Sequence, residues 1–492
     1  IAVGNYALDA TTTGTYNVAV GHSAGTAVTT GTYNTLIGGL AGDALTDADF
    51  NVAVGTQTLT ADTLGSKSVA IGHGALNIQN FTSATDAYNT AVGHAAGLLV
   101  TTGIQNTLIG GLAGDALNTG SGNVAFGLAA LSADLKGSTT TAVGGYSLAA
   151  QSFSSTTNTF NTALGYQSGM GLTTGTLNTI VGALACSAGA AFDGSSNVVM
   201  GYGAGLNATD MATSVFVGVQ AGGSGVVAGA NNVCVGNTAG YELTSGASNT
   251  FIGKGAGDKT TTGNENIAIG LDAMGLGITT NPGGSGSDRF DGMYNVCVGN
   301  ASGYDLTTGQ SNILIGQAAG ANFTNNNYNI AIGHGALDGC NGNETGNIAI
   351  GYGALGADIA GSDHCVAIGH NALTLQDADV KNTAIGGLAG DNIQGGQQNT
   401  LLGYMAGSDI ATHGDNVAVG HMAMVNAEAH YNTVVGSLAG SSASNETATQ
   451  FTGDANVLVG YAAGYDLQDG AGNVLVGYGA GSNITTGQYN VA

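Results

Sequence analysis

Asn17-Val18-Ala19-Val20-Gly21 is followed one fixed step later by Asn34-Thr35-Leu36-Ile37-Gly38, and the reading of this five-residue phrase decides the fold. Its closing glycine recurs 27 times, from Gly4 to Gly477. Of the 26 spacings, 17 are 17 residues long, only one is shorter (Gly420 to Gly436), and the others are lengthened by one to twelve residues. A minimum step with occasional additions is what a coil of fixed circumference produces, because a loop can bulge outward whereas the turn itself cannot shrink. The sequence therefore predicts a repeat array and not a string of unrelated domains.

Within the phrase, the second position is Val, Thr or Ile in every copy and the fourth is nearly always Val or Ile. Such β-branched side chains suit a pleated, buried surface. The third position points to the opposite face and carries residues such as Ala53, Ala91, Ala418, Leu36, Phe216, Phe251 and Cys234. Both faces are apolar, so both are expected to be covered. One cover is the opposite wall of the same coil. The other requires a further layer, either linker segments of the same chain or sister chains. Asn opens 22 of the 26 phrases that have this position, with Ser68, Thr140, Ser214 and Cys365 as the departures. Stacked at one angular position, Asn17, Asn34, Asn51, Asn89, Asn106, Asn123 and their counterparts are read as a structural ladder in preference to a ligand-binding row. The closing glycine marks a corner where φ/ψ or the nearness of the next coil excludes a Cβ.

The segment after the corner is harder to type. Ala and Leu three, four and seven residues on (Ala75 and Leu76; Ala130, Leu131, Asp134 and Leu135; Ala354 and Leu355) read as inward-facing members of a short second strand or a helical turn, which periodicity over so few residues does not separate. Thr-Thr-Gly, as in Thr101-Thr102-Gly103 and Thr307-Thr308-Gly309, reads as the return turn. Insertions precede the phrase at residues 81–88, 151–158 and 440–455, and the longest, 279–294, holds the only Pro (Pro282) and the only Arg (Arg289). These loops are expected to decorate one edge and are the first place to seek partner recognition.

The length of 492 residues would suggest three or four domains, but the uninterrupted period makes 1–492 a single continuous solenoid. The chain opens inside one phrase and closes inside another, so its natural ends are expected to lie beyond it. With 88 Gly, one Pro and 43% hydrophobic residues, it is neither collagen nor disordered. Only six cations offset 31 acids, for a net charge of −25. A surface so poor in Lys and Arg does not neutralise phosphates, which disfavours nucleic acid and anionic membranes as partners. No run of 18 apolar residues marks a membrane insertion in this segment. The five cysteines, none in a Cys-x-x-Cys pair, read as small buried apolar residues.

Two patterns carry candidate chemistry. Histidine follows the corner glycine at His22, His73, His94, His334, His370 and His421, and tyrosine takes the same place at Tyr166, Tyr202, Tyr352, Tyr404, Tyr461 and Tyr478. Stacked planar rings explain the exchange, with His334, Tyr352 and His370 as one stack. The rival is a metal site, for which His73 and His94 are the best candidates. Asp43, Asp115 and Asp391 follow Gly-Leu-Ala-Gly, and Asp258 follows Gly-Ala-Gly. Calcium is conceivable there, although single acids in successive coils usually sit in water. No residue breaks the repeat in a way that marks it as catalytic or cofactor-binding, and no enzyme is expected.

Ser68-Val69-Ala70-Ile71-Gly72 resembles the head repeats of trimeric autotransporter adhesins, and Asn382-Thr383-Ala384-Ile385-Gly386 is similar to repeats of phage tail fibres. The resemblance implies a β-roll-like architecture, and with the period read above the expected fold is a mainly β, parallel β-solenoid of about 27 coils of 17 or more residues, with one strong strand per coil plus a short second strand or helical turn. At ~4.8 Å per coil such a rod is roughly 130 Å long. It also implies self-association, as a homotrimer or fibre, with third-position residues meeting partner chains. The expected function is a non-enzymatic extracellular fibre on a cell surface or virion tail, a rod-like spacer presenting an adhesive or host-recognition surface to a cell-surface or glycan receptor. The alternatives are a purely structural extracellular filament or matrix polymer, and an ice-binding or carbohydrate-active solenoid.

Overall fold

The computed structural model describes residues 1–187, 191–223, 225–275, 291–340, 342–357, 362–376, 381–441 and 450–492. Most of the 279–294 insertion, including Pro282 and Arg289, lies outside the described residues, as do residues 442–449 of the 440–455 insertion. The chain is a parallel β-solenoid with 27 short main strands. It forms two compact units, Ile1–Ser245 and Gly246–Ala492. No helix occurs among the described residues.

In the first unit Val18–Val20 pairs in parallel with Thr35–Ile37, so that Ala19 stands beside Leu36. The same register continues through Val52–Val54, Val69–Ile71 and Thr90–Val92. In the second unit Ile313–Ile315, Ile330–Ile332 and Ile348–Ile350 follow one another in the same way. Each full strand is three residues long because the backbone turns sharply at both ends. The residue before the opening Asn has a left-handed conformation (Tyr33, φ 59°), and the corner glycine has φ of +133° at Gly38. At that corner a Cβ on Gly21 would lie 2.5 Å from the carbonyl oxygen of Gly38, so conformation and crowding both require glycine.

The return segment is neither a second strand nor a helical turn but a run of tight turns with alternating left-handed residues, such as Ser23 (φ 56°) and Gly25 (φ 57°). It is hydrogen-bonded from coil to coil much as a strand would be: Leu8 N–H donates to Ala24 O (3.0 Å), Gly25 N–H to Ala41 O (2.9 Å) and Thr29 N–H to Thr46 O (2.9 Å). Two of the insertions add short strand pairs of their own, Thr85–Asp86 beside Gly65–Ser66 and Thr157–Asn158 beside Gly137–Ser138.

The third-position residues Ala19, Leu36, Phe216, Phe251 and Leu314 are fully buried inside the coils, against return-segment residues such as Ala24, Val28 and Leu45. This corrects the expectation that they meet partner chains: the return segment is their cover, within the same coil. The second and fourth positions face outward instead, and Ile37, Ile267, Ile269, Ile313 and Ile315 are 37–38% exposed. No further layer of the chain covers them among the described residues. Of the residues expected to face inward from the return segment, Ala75, Leu76, Ala130, Leu131, Ala354 and Leu355 are buried, but Leu135 is 41% exposed. The buried seventh residue of that coil is Asp134.

The corner glycine gives a direct test. Gly316→Ala places a Cβ 2.5 Å from Gly333 O at φ +133°, and is expected to lower stability by ~2 kcal/mol or more, read as a fall in the urea midpoint. Gly395→Ala, where an added Cβ meets nothing within 4 Å, should leave that midpoint within ~0.5 kcal/mol of the unaltered chain.

Candidate functional site

The residues that the repeat singles out form rows, and the rows are hydrogen-bonded or stacked along their length. Asn34, Asn51, Asn89, Asn106 and Asn123 are fully buried, and Asn17 is 6% exposed. The Asn17 amide donates to Gly31 O (2.7 Å), and its Oδ1 accepts from the Asn34 N–H (2.9 Å) and the Asn34 Nδ2 (3.2 Å). Asn106 does the same with Gly120 O (2.9 Å) and the Asn123 N–H (3.0 Å). The amide thus ties together three backbone segments that would otherwise bury unpaired polar groups.

Where the opening Asn is replaced, a glutamine eleven residues later closes the gap. Gln79 Nε2 donates to Ser68 Oγ (3.1 Å), while its Oε1 accepts from Asn89 Nδ2 (2.8 Å). Gln151 bridges Thr140 Oγ1 (3.1 Å) and Asn161 Nδ2 (2.9 Å). Gln376 bridges Cys365 Sγ (2.9 Å) and Asn382 Nδ2 (3.1 Å). At the remaining departure Ser214 keeps an oxygen in place, and Oγ accepts from the Asn232 N–H at 3.1 Å. Gln79 and Gln151 also hold buried carboxylates. Asp62 Oδ2 accepts from Gln79 Nε2 (2.6 Å) and its Oδ1 from the amides of Gly65 (3.0 Å) and Phe81 (3.2 Å). Asp134 repeats this with Gln151, Gly137 and Phe153. Sequence reading missed the glutamines, whose signal is a constant offset from each departure.

A second ladder lies two residues before the opening Asn and was also missed. Its side chains accept from the backbone of the preceding coil: Asp49 Oδ1 from Thr32 N–H (2.6 Å), Ser66 Oγ from Asp49 N–H (2.9 Å), Asn327 Oδ1 from Gln310 N–H (2.9 Å) and His430 Nδ1 from Gly414 N–H (3.0 Å). The Asn row runs the other way, each Oδ1 accepting from the coil that follows. The detectable signal is a short polar residue at a fixed offset.

The rings after the corner glycine stack. His334 and Tyr352 have centroids 5.1 Å apart and planes 5° apart, and Tyr352 and His370 are at 5.3 Å and 11°. Tyr404–His421 and Tyr461–Tyr478 are stacked as well. His73 and His94, the metal candidates, are at 5.4 Å and 11°. Imidazole lone pairs lie in the ring plane, so two rings stacked in parallel do not converge on an ion ~2 Å from each nitrogen. Among the described residues no group of three or more His, Cys, Asp or Glu could hold a metal ion. A separate stack, Tyr16–Tyr33–Phe50, occupies the exposed position just before the opening Asn, with centroids 4.9 and 5.1 Å apart.

The acids weighed for calcium lie along the return segments, Asp391 near Asp409 of the following coil and Asp258 with Asp272 and Asp305 around Tyr304. Asp391 Oδ1 accepts from Ser408 Oγ (2.8 Å). In Asp43 and Asp115 one carboxylate oxygen is buried without a hydrogen-bond partner. Burial pushes both carboxyls above the ordinary carboxylate value, more strongly than hydrogen bonds from nearby backbone amides pull them down. All five cysteines are buried, with no disulfide between them. Burial pushes the Cys186 thiol up to about 12 and raises those of Cys234 and Cys297 as well, which removes the thiolate needed for nucleophilic or redox chemistry.

No protein-family model matches the sequence, and no curated protein matches it.

Two predictions follow from these rows. Asn106→Ala leaves the Asn123 N–H and Gly120 O buried without their partner, and should cost ~2–4 kcal/mol, seen as accelerated amide exchange at Asn123. Asn106→Ser, which keeps an oxygen at that place, should cost less. For Asp43 and Asp115 the folded state holds a proton to higher pH than the unfolded state, so their contribution to stability is full below the ordinary value of 3.8 and is lost as pH rises through the raised folded value. Asp43→Asn with Asp115→Asn should therefore raise the thermal midpoint at neutral pH, and that advantage over the unaltered chain should shrink as pH is lowered toward 3.8. An advantage that does not change with pH would contradict this assignment.

Proposed function

We propose that the chain is a non-enzymatic extracellular fibre protein, a rod-like spacer that carries an adhesive or host-recognition surface on a cell surface or virion tail. The observation that supports this reading is the use made of the chemically capable side chains. The Asn amides, the Asp62 and Asp134 carboxylates and the glutamines beside them are bonded to neighbouring coils, the corner imidazoles are largely stacked, and the thiols are buried. What such a chain supplies is length and stiffness, since each coil is held by its neighbours. Its partners in this reading are further copies of itself, in a homotrimer or fibre, and a cell-surface or glycan receptor. The outer rows speak against ice binding through regular Thr rows: Thr occurs at the second position in some coils but at the fourth in none.

The test is saturable binding of the labelled full chain to intact cells and to a glycan array, competed by unlabelled chain. Turnover in a screen of polysaccharide hydrolase and lyase substrates would overturn the proposal. Assembly without any binding would move it to a purely structural filament.

A further inference from the structure

The ladder two residues before the opening Asn takes its acceptors from several residue types, and they do not respond alike to acid. Ser66 and Ser121 accept through a hydroxyl, Asn264 and Asn327 through an amide oxygen, and Asp49 and Asp363 through a carboxylate. Hydroxyl and amide oxygens accept at any pH, and a carboxylate does so until it protonates near pH ~4. His430 is the one histidine at this position in the sequence. A neutral imidazole accepts through one nitrogen, and a protonated one through none. The Nδ1 of His430 accepts from the Gly414 N–H at 3.0 Å, and Gly414 O accepts from the Tyr431 N–H at 3.3 Å. Gly414 is buried and His430 half-buried, so a proton can reach the ring while the amide has no solvent to turn to.

We propose that His430 is an acid-sensitive joint between two coils: its neutral ring holds the buried Gly414 N–H, and protonation between about pH 7 and about pH 5 releases that N–H and loosens the turns around Gly414 and His430. Because Gly414 donates to Nδ1, the ring hydrogen sits on Nε2, and an added proton enters at Nδ1. Two N–H groups then face each other where a hydrogen bond was, so the bond is lost outright. His413, in the preceding coil, sharpens the response. Its ring centroid is 4.7 Å from that of His430, with the planes at 60°, and its Nδ1 lies 3.2 Å from Ile410 O. A carbonyl only accepts, so this Nδ1 carries the hydrogen and His413 takes its own proton at Nε2. Two charged rings then oppose each other in contact. The following coil offers the charged ring another acceptor: Asp454, whose Oδ1 already takes the His430 backbone N–H (2.7 Å), lies on the side away from Gly414. Tyr431 is 5.8 Å from His430 between ring centroids, and phenols are neutral throughout this range. The remaining acids of these turns are Glu428 and Asp415, both exposed, and Asp409, whose Oδ1 accepts from Asn392 Nδ2 (2.8 Å). The bonded form is the neutral one, so the joint is tight at neutral pH and opens as pH falls, opposite in sign to the carboxyls of Asp43 and Asp115. The device does not depend on what the chain binds.

Amide hydrogen exchange of the full chain at about pH 7.5 and about pH 5.5, on either side of the imidazole range, tests the inference once each rate is divided by the intrinsic rate at that pH. Protection of the Gly414 amide should fall ~10-fold or more on acidification. Protection of Gln310, whose N–H is held by Asn327 Oδ1 at 2.9 Å, should be unchanged. His430→Asn puts at this rung the acceptor that Asn327 provides in its own coil, and should keep Gly414 protected at the higher pH while removing the fall at the lower one. If His430→Asn misfolds, His430→Ser serves instead, since Ser66 and Ser121 fill the same place. A Gly414 amide equally protected at both pH values, a fall shared equally by Gln310, or a fall that survives in the variant would each overturn the inference.

Discussion

Each coil depends on a buried amide. A strand of three residues makes too few backbone bonds to define its own place, and the polar backbone around it lies in an apolar interior where an unpaired N–H or C=O costs several times what a satisfied one contributes. The Asn at the head of the strand resolves this because one short side chain carries both donors and an acceptor. It reaches a return-turn carbonyl with its Nδ2, and its Oδ1 takes the N–H of the next Asn. Glycine corners let the coils close to the spacing at which those bonds form. The apolar interior of Ala, Leu, Val and Phe then fills in around a frame already set by hydrogen bonds.

Much of this frame was legible in the sequence, because a period of 17 with a fixed phrase leaves few other ways to bury it. The strand, the corner, the Asn row and the ring stacks all follow from residues that recur at one offset. The direction of the strand faces did not follow. Ala19 and Val18 are both apolar, and hydropathy alone does not tell a small residue turned inward from a β-branched one turned outward. Volume does not tell them apart either, since Phe216, Phe251, Leu36 and Ile180 are buried inward at the same position as Ala19; the facing is set by the side on which the return segment lies behind the strand. The return segment was illegible for a related reason. Its alternating left-handed residues, including Ser23, Leu40 and Gln57, follow no propensity that a helix or strand pattern detects, and are held by the coils above and below.

The same comparison explains the polar residues that were missed. Ser68, Thr140 and Cys365 read as lapses in a ladder, yet each is part of a repair whose other half lies in a segment with no pattern of its own. The carboxylates of Asp62 and Asp134 belong to the same arrangement. They are fully buried, and their oxygens are met by a glutamine amide and by the backbone of the widened coil that begins at Phe81 or Phe153. Rows of chemically capable groups therefore act here as joints between coils.

The repair has a consequence for how such a chain can lengthen. Asp62 and Gln79 belong to adjacent coils, as do Asp134 and Gln151, and the two arrangements recur 72 residues apart, a distance of four coils. A duplication that copied only the coil of Gln79 would give the second copy a buried glutamine with no carboxylate in the coil before it. The two coils that share the pair can be inherited intact only together.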